Sequence, residues 1–146
     1  MLFRPLVAAA LCLTAGAATA AETSPSPMTP SEAIAAVDRS SHGVRGRFEM
    51  VVAATGKNDK ASFLNSNPDY RSPGNVTFSM SHAVAAALEK RFGSRPEEYL
   101  RGKRIVVDGI MERNPIVNVL HGRVRSFNRM SYTLQIRQVA QIVAIE

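Results

Sequence analysis

A mainly β fold with some helix, in the form of a five-stranded Greek-key barrel, is what this sequence predicts, and three observations predict it. Five stretches alternate apolar and polar residues with period two, the mark of half-buried strands. One capped helical stretch stands between the third and the fourth of them, and a second, shorter helix precedes the first.

The N-terminal helix is signalled by Thr29 with Glu32 three residues on, a capping box, and by Pro30 at the first helical position. Ile34, Ala35 and Val37 form its apolar stripe before Asp38, so it is expected to be two to three turns long and to pack loosely on the body. The first strand is expected over Val44–Ala54, with Val44, Gly46, Phe48, Met50 and Val52 on one face and a bend or bulge at Gly46. Thr55 to Lys60 reads as a turn, Ala61–Asn65 as the second strand, and Asn75–Met80 as the third, with Val76, Phe78 and Met80 inward. Ser81 caps a helix whose Val84, Leu88 and Phe92 share a face until Gly93 ends it. A further capping box, Ser94 with Glu97, opens one more turn that closes at Gly102. Lys103–Glu112 is the fourth strand and Ser131–Arg137 the fifth, with Val139–Ile145 as its bent continuation.

Three strands, a helix and two strands is the order of an OB barrel, in which the helix plugs one end. Phe63-Leu64-Asn65, Asp69-Tyr70, Val76-Thr77-Phe78, the run Leu100 to Gly109 and the terminal Gln141-Ile142 resemble small bacterial exported OB-fold proteins. There a Leu-Asn strand and a Gly-Lys/Arg-x-Val-x-Val-x-Gly strand frame the barrel. The resemblance spans roughly Ser41 to Glu146 and implies the fold, with binding on the face of strands two and three and through the loops joining one to two and four to five. It does not extend to the long segment Arg113 to Met130.

That segment carries the charge. Arg113, Arg123, Arg125 and Arg129, followed by Arg137, interleave with His121, Phe127 and Tyr132, and no Asp or Glu occurs from Arg113 to Ile145. Guanidinium groups on phosphates beside rings on which bases stack are the chemistry of single-strand binding. The plainer reading is a hairpin, Ile116–Leu120 against Ser131–Arg137, whose exposed positions are arginine. Arg45 and Arg47 on the first strand could extend the basic face. Asn65, Asp69, Tyr70 and Arg71 form a second polar cluster, able to hold a sugar or cation but equally a set of turn formers, since Asp69 can cap its own loop.

No catalytic constellation is complete. Val107-Asp108-Gly109 has the look of a nuclease turn but is followed by Ile110 and Met111 rather than further acids, and cation-assisted hydrolysis needs those. His42, His82 and His121 are not spaced as metal ligands, so neither a metal nor another cofactor is expected.

The first 20 residues read as a signal peptide, with Arg4, an apolar run from Leu6 and Ala18-Thr19-Ala20 at the cleavage site. Cys12, the only cysteine, falls inside it, so a periplasmic or secreted mature chain must be held by its core alone. Residues 21–30, rich in Ser, Thr and Pro, are expected to be a flexible linker, and 31–146 a single domain with no integral membrane association. Setting Arg4 aside leaves 17 basic against 12 acidic side chains, 13 of the bases arginine, which suits an anionic partner. The expected function is a non-catalytic binding module for single-stranded nucleic acid or another polyanion. The alternative is a protein-interaction or envelope-scaffold domain that uses its long hairpin between strands four and five.

Overall fold

A computed structural model describes residues 25–146. The expected signal peptide, Cys12 and the first residues of the expected linker lie outside the described residues. From Met28 onward the chain is held: its N–H donates to the Arg47 carbonyl at 2.8 Å and its carbonyl accepts from Glu49 N–H at 2.9 Å.

The fold is mainly β. Helix α1 (Pro30–Asp38) is followed by strands β1 (Val44–Val51), β2 (Ala54–Lys57), β3 (Ala61–Asn65) and β4 (Val76–Ser81). Then come helices α2 (His82–Phe92) and α3 (Pro96–Tyr99), strands β5 (Arg104–Leu120) and β6 (Arg123–Ile136), a 3-10 turn Val139–Gln141, and β7 (Ile142–Ile145). The sheet order is β1-β5-β6-β4-β3-β2, with β7 added on β5. All pairs are antiparallel except β4 with β6, which run parallel in the register Val76↔Tyr132 to Met80↔Ile136.

There are thus seven strands where five were expected, and three changes account for it. The long first strand is broken at Val52 and Ala53, because the backbone there changes partner: Val52 N–H donates to Lys103 and Ala53 N–H to Asn65, both at 2.9 Å. Residues Thr55 to Lys57, expected in a turn, pair with β3 instead. The C-terminal stretch is a separate strand, β7, which leaves β6 by way of the 3-10 turn and joins β5. Gly46 is not a bulge. It pairs in register with Gly109, and a Cβ there would stand 2.6 Å from the Met28 methyl, the flexible end of that side chain.

The core lies where the alternation placed it: Phe48, Met50, Val52, Leu64, Phe78, Met80, Met111, Leu134 and Ile136 are all buried. Burying each such side chain stabilises by roughly 1.5–3 kcal/mol before conformational entropy is set against it. Helix α2 is capped by the Ser81 hydroxyl, ends at left-handed Gly93, and buries Val84, Ala85 and Leu88. In α1 the capping box forms, but the buried pair is Ala33 and Val37, one turn apart, while Ala35 faces solvent and Ile34 is half-buried. This helix is packed on the core, not loosely laid over it. The second expected capping box does not form. Helix α3 begins from Arg95 without a side-chain cap, and Glu97 instead accepts a hydrogen bond from the buried Ser62 hydroxyl. Among the described residues no helix is long and apolar enough to cross a membrane.

Beyond Met111 and Tyr132, strands β5 and β6 continue past the rest of the sheet as a two-stranded arm that closes at His121-Gly122. Both turn residues have positive φ, 51° and 74°, as a two-residue hairpin turn requires. Glycine has no steric penalty there, and histidine is among the residues that tolerate it.

Candidate functional site

The root of the arm is fixed on its core-facing side by α1. Asp38 accepts the Tyr132 hydroxyl at 2.9 Å and pairs with Arg113 at 3.3 Å. Burial pushes the Tyr132 hydroxyl above its ordinary pKa, the hydrogen bond to Asp38 and the Asp38 charge add to this, and Arg113 pulls the other way. Arg113 is therefore a structural partner of Asp38, not a free cation on the arm.

The loop between β3 and β4 is organised by its own polar groups. The Asn65 side chain accepts from Thr77 Oγ1 at 2.8 Å, and Asn75 Nδ2 donates to Thr77 Oγ1 at 3.0 Å. Asn75 Oδ1 accepts Asn67 N–H at 3.1 Å, and Asp69 Oδ1 accepts Arg71 N–H at 2.9 Å. Asn65 and Asp69 are thus used in holding the loop. What the loop presents outward is Tyr70, 51% exposed, with the Arg71 guanidinium carbon 5.1 Å from the ring centroid. From the arm, Arg129 approaches the same ring at 5.5 Å. Both lie within cation–π reach. Two groups read separately along the chain meet here, and among the described residues neither Arg71 nor Arg129 pairs with a carboxylate.

A second basic locus lies on the outer face of β1, β5 and the end of β6. Arg45, Arg47 and Arg137 line an open groove of about 680 Å³ together with Asp108, Glu112 and Gln135. Arg47 is engaged: its Nε lies 2.8 Å from Asp108 Oδ1 and its Nη2 3.3 Å from Oδ2, and this pairing holds its charge. Asp108 lines this groove, whereas Asp69 belongs to the loop between β3 and β4 and does not.

The remaining predicted residues sit on the arm. His121 is in the turn, Arg123 stands opposite Leu120, and Arg125 falls where the register shifts. Phe127 faces Val117 and is 59% exposed. The arginines therefore occupy three places, the groove, the Tyr70 stack and the arm, with Arg113 set aside by Asp38. Among the described residues no group of three potential metal ligands is found.

The expected hairpin forms, but Ile116 to Leu120 pairs with Arg123 to Arg129 and not with Ser131–Arg137. The signal for the tight pairing is His121-Gly122, a pair able to adopt positive φ, which follows the β-branched run Ile116 to Leu120 and precedes Val124. No family model, curated protein or solved structure matches this chain.

Proposed function

We propose that this protein is a non-catalytic, exported binding module of OB-fold type that engages an anionic polymer, single-stranded nucleic acid in particular. The fold reading is supported by the order of pairing. If β1 and β2 are taken as one strand interrupted at Val52-Ala53, that strand stands at both ends of the sheet order, and α2 joins the third strand to the fourth. The parallel β4–β6 pair is the long-range contact such a Greek-key path needs.

The observation that carries the binding reading is the Tyr70 ring flanked by Arg71 and Arg129. Guanidinium groups free of carboxylates can take phosphate oxygens bidentately, and an exposed ring beside them offers a stacking surface for a base. The loop's own hydrogen bonds hold the ring outward, so little ordering remains to be done on binding.

Fluorescence anisotropy with a labelled oligothymidylate at low salt tests this. Binding is expected, with log K falling against log salt by about 0.7 per phosphate neutralised, so the double variant Arg71→Ala, Arg129→Ala should flatten that slope by roughly 1.4. Tyr70→Ala should cost about 1–3 kcal/mol in affinity. Absence of binding at low salt, or an unchanged salt slope in the double variant, would remove the reading.

A further inference from the structure

We propose that the tip of the β5–β6 arm docks on the surface of an anionic lipid bilayer. The inference rests on the arm alone and is independent of the Tyr70 stack. Apolar side chains stand exposed along the arm: Phe127 is 59% exposed and, at the turn, Val119 is 58% exposed, Leu120 50% and Val124 66%. Val119 and Val124 are register partners on one face, while Leu120 lies on the opposite face with Asn118 and Ser126, which hydrogen-bond to each other at 2.9 Å. One face of the tip is therefore apolar, and on the other Leu120 stands beside its register partner Arg123, so apolar and cationic groups are presented together.

Charge narrows the occupant further. Arg123 and Arg125 flank Val124, and the chain from Arg113 to Ile145 contains no acid. An arm-to-arm contact between two copies would bring these like charges together. Nucleic acid would satisfy the arginines and the Phe127 ring but would leave Val119, Leu120 and Val124 uncovered, since bases stack on rings. A bilayer with anionic headgroups supplies both chemistries, with apolar tips in the interface and arginine side chains reaching back to phosphates. The open edges of the arm set the depth. Past Met111 and Tyr132 the arm's strands pair only with each other, so their outward N–H and C=O groups need water or headgroups and cannot enter the hydrocarbon.

The chain has no tryptophan, so Leu120→Trp places a single emission reporter at the tip. With vesicles of 3:1 phosphatidylcholine to phosphatidylglycerol, a blue shift is expected, and with phosphatidylcholine alone none. Replacing Arg123 and Arg125 by alanine should weaken vesicle binding roughly fivefold for each. Val119→Asp with Val124→Asp should abolish the arm's contribution to co-sedimentation while leaving the melting of the body unchanged, since neither side chain reaches the core. Val119→Ser with Val124→Ser, which sets no like charges opposite each other, should weaken co-sedimentation in the same direction. No shift with anionic vesicles, an equal shift with neutral ones, or undiminished sedimentation of the double aspartate variant would overturn the proposal. A dimer in ultracentrifugation that these aspartates dissolve would assign the arm to a second copy instead, and overturn it too.

Discussion

Strands β5 and β6 each pass through two environments, and the contrast between them separates what holds this fold from what it offers. In the body, Ile105, Val107 and Met111 of β5 and Tyr132, Leu134 and Ile136 of β6 are buried between the sheet and its helices. In the arm, the same two strands carry Val117, Val119, Val124 and Phe127 into solvent. Residue type and local propensity are alike in both halves. A two-stranded ribbon by itself is marginal in water, so the arm persists because the body has already fixed its register. Stability is thus concentrated at one end of a continuous hairpin and exposed apolar surface at the other.

The contrast should break first in the body. Leu134→Ala removes a fully buried side chain that packs against the bare face of Gly109, and its unfolding free energy should fall by about 2–5 kcal/mol in urea titration. A smaller loss would mean that the core at this point collapses easily around a cavity.

At the junction the effect should be intermediate. Tyr132→Phe removes the hydroxyl that donates to Asp38 and should cost about 1 kcal/mol. Because the folded-state pKa of Tyr132 is raised, its neutral form contributes stability below the unfolded value of about 10, and that stability is lost as pH rises through the folded value. The wild-type chain should therefore lose stability above about pH 10 more steeply than the phenylalanine variant. Parallel alkaline profiles would show that Tyr132 does not couple the arm to α1.

In the arm the expected effect is smallest. Val124→Ala should change global stability by less than about 0.5 kcal/mol, although it shortens a β-branched side chain in a strand. A larger loss would place the arm inside the cooperative unit and dissolve the distinction.

How much of this was legible depended on whether the deciding contact was local. The inward faces of β3, β4 and the body halves of β5 and β6 follow from alternation, because the β1–β5, β3–β4 and β4–β6 pairings each keep one register along their length. The arm hid its pattern behind two register shifts, between Ile116 and Val117 and between Asn118 and Val119. Each shift offsets the alternation on the facing strand, so Phe127 and Val124 come to share a face although they are three residues apart. The break at Val52-Ala53 was invisible for another reason. It records an exchange of partners, Lys103 for one residue and Asn65 for the next, and nothing in the strand's own sequence encodes partners so distant. The Tyr70 stack is the same case, since Arg71 was adjacent in sequence and Arg129 was not.

The two register shifts carry a consequence for how such a chain can vary over evolutionary time. They lie outside the pairs that fix the body, Met111↔Leu134 and Arg113↔Tyr132, so the arm's length is not tied to the core's geometry. Residues can be gained or lost in matched pairs beyond Pro115 and Met130 without moving a buried side chain, as exposed hairpin tips tolerate such change well. Among descendants of this sequence the reach of the arm, and whatever it touches, can therefore diversify while the body stays as it is.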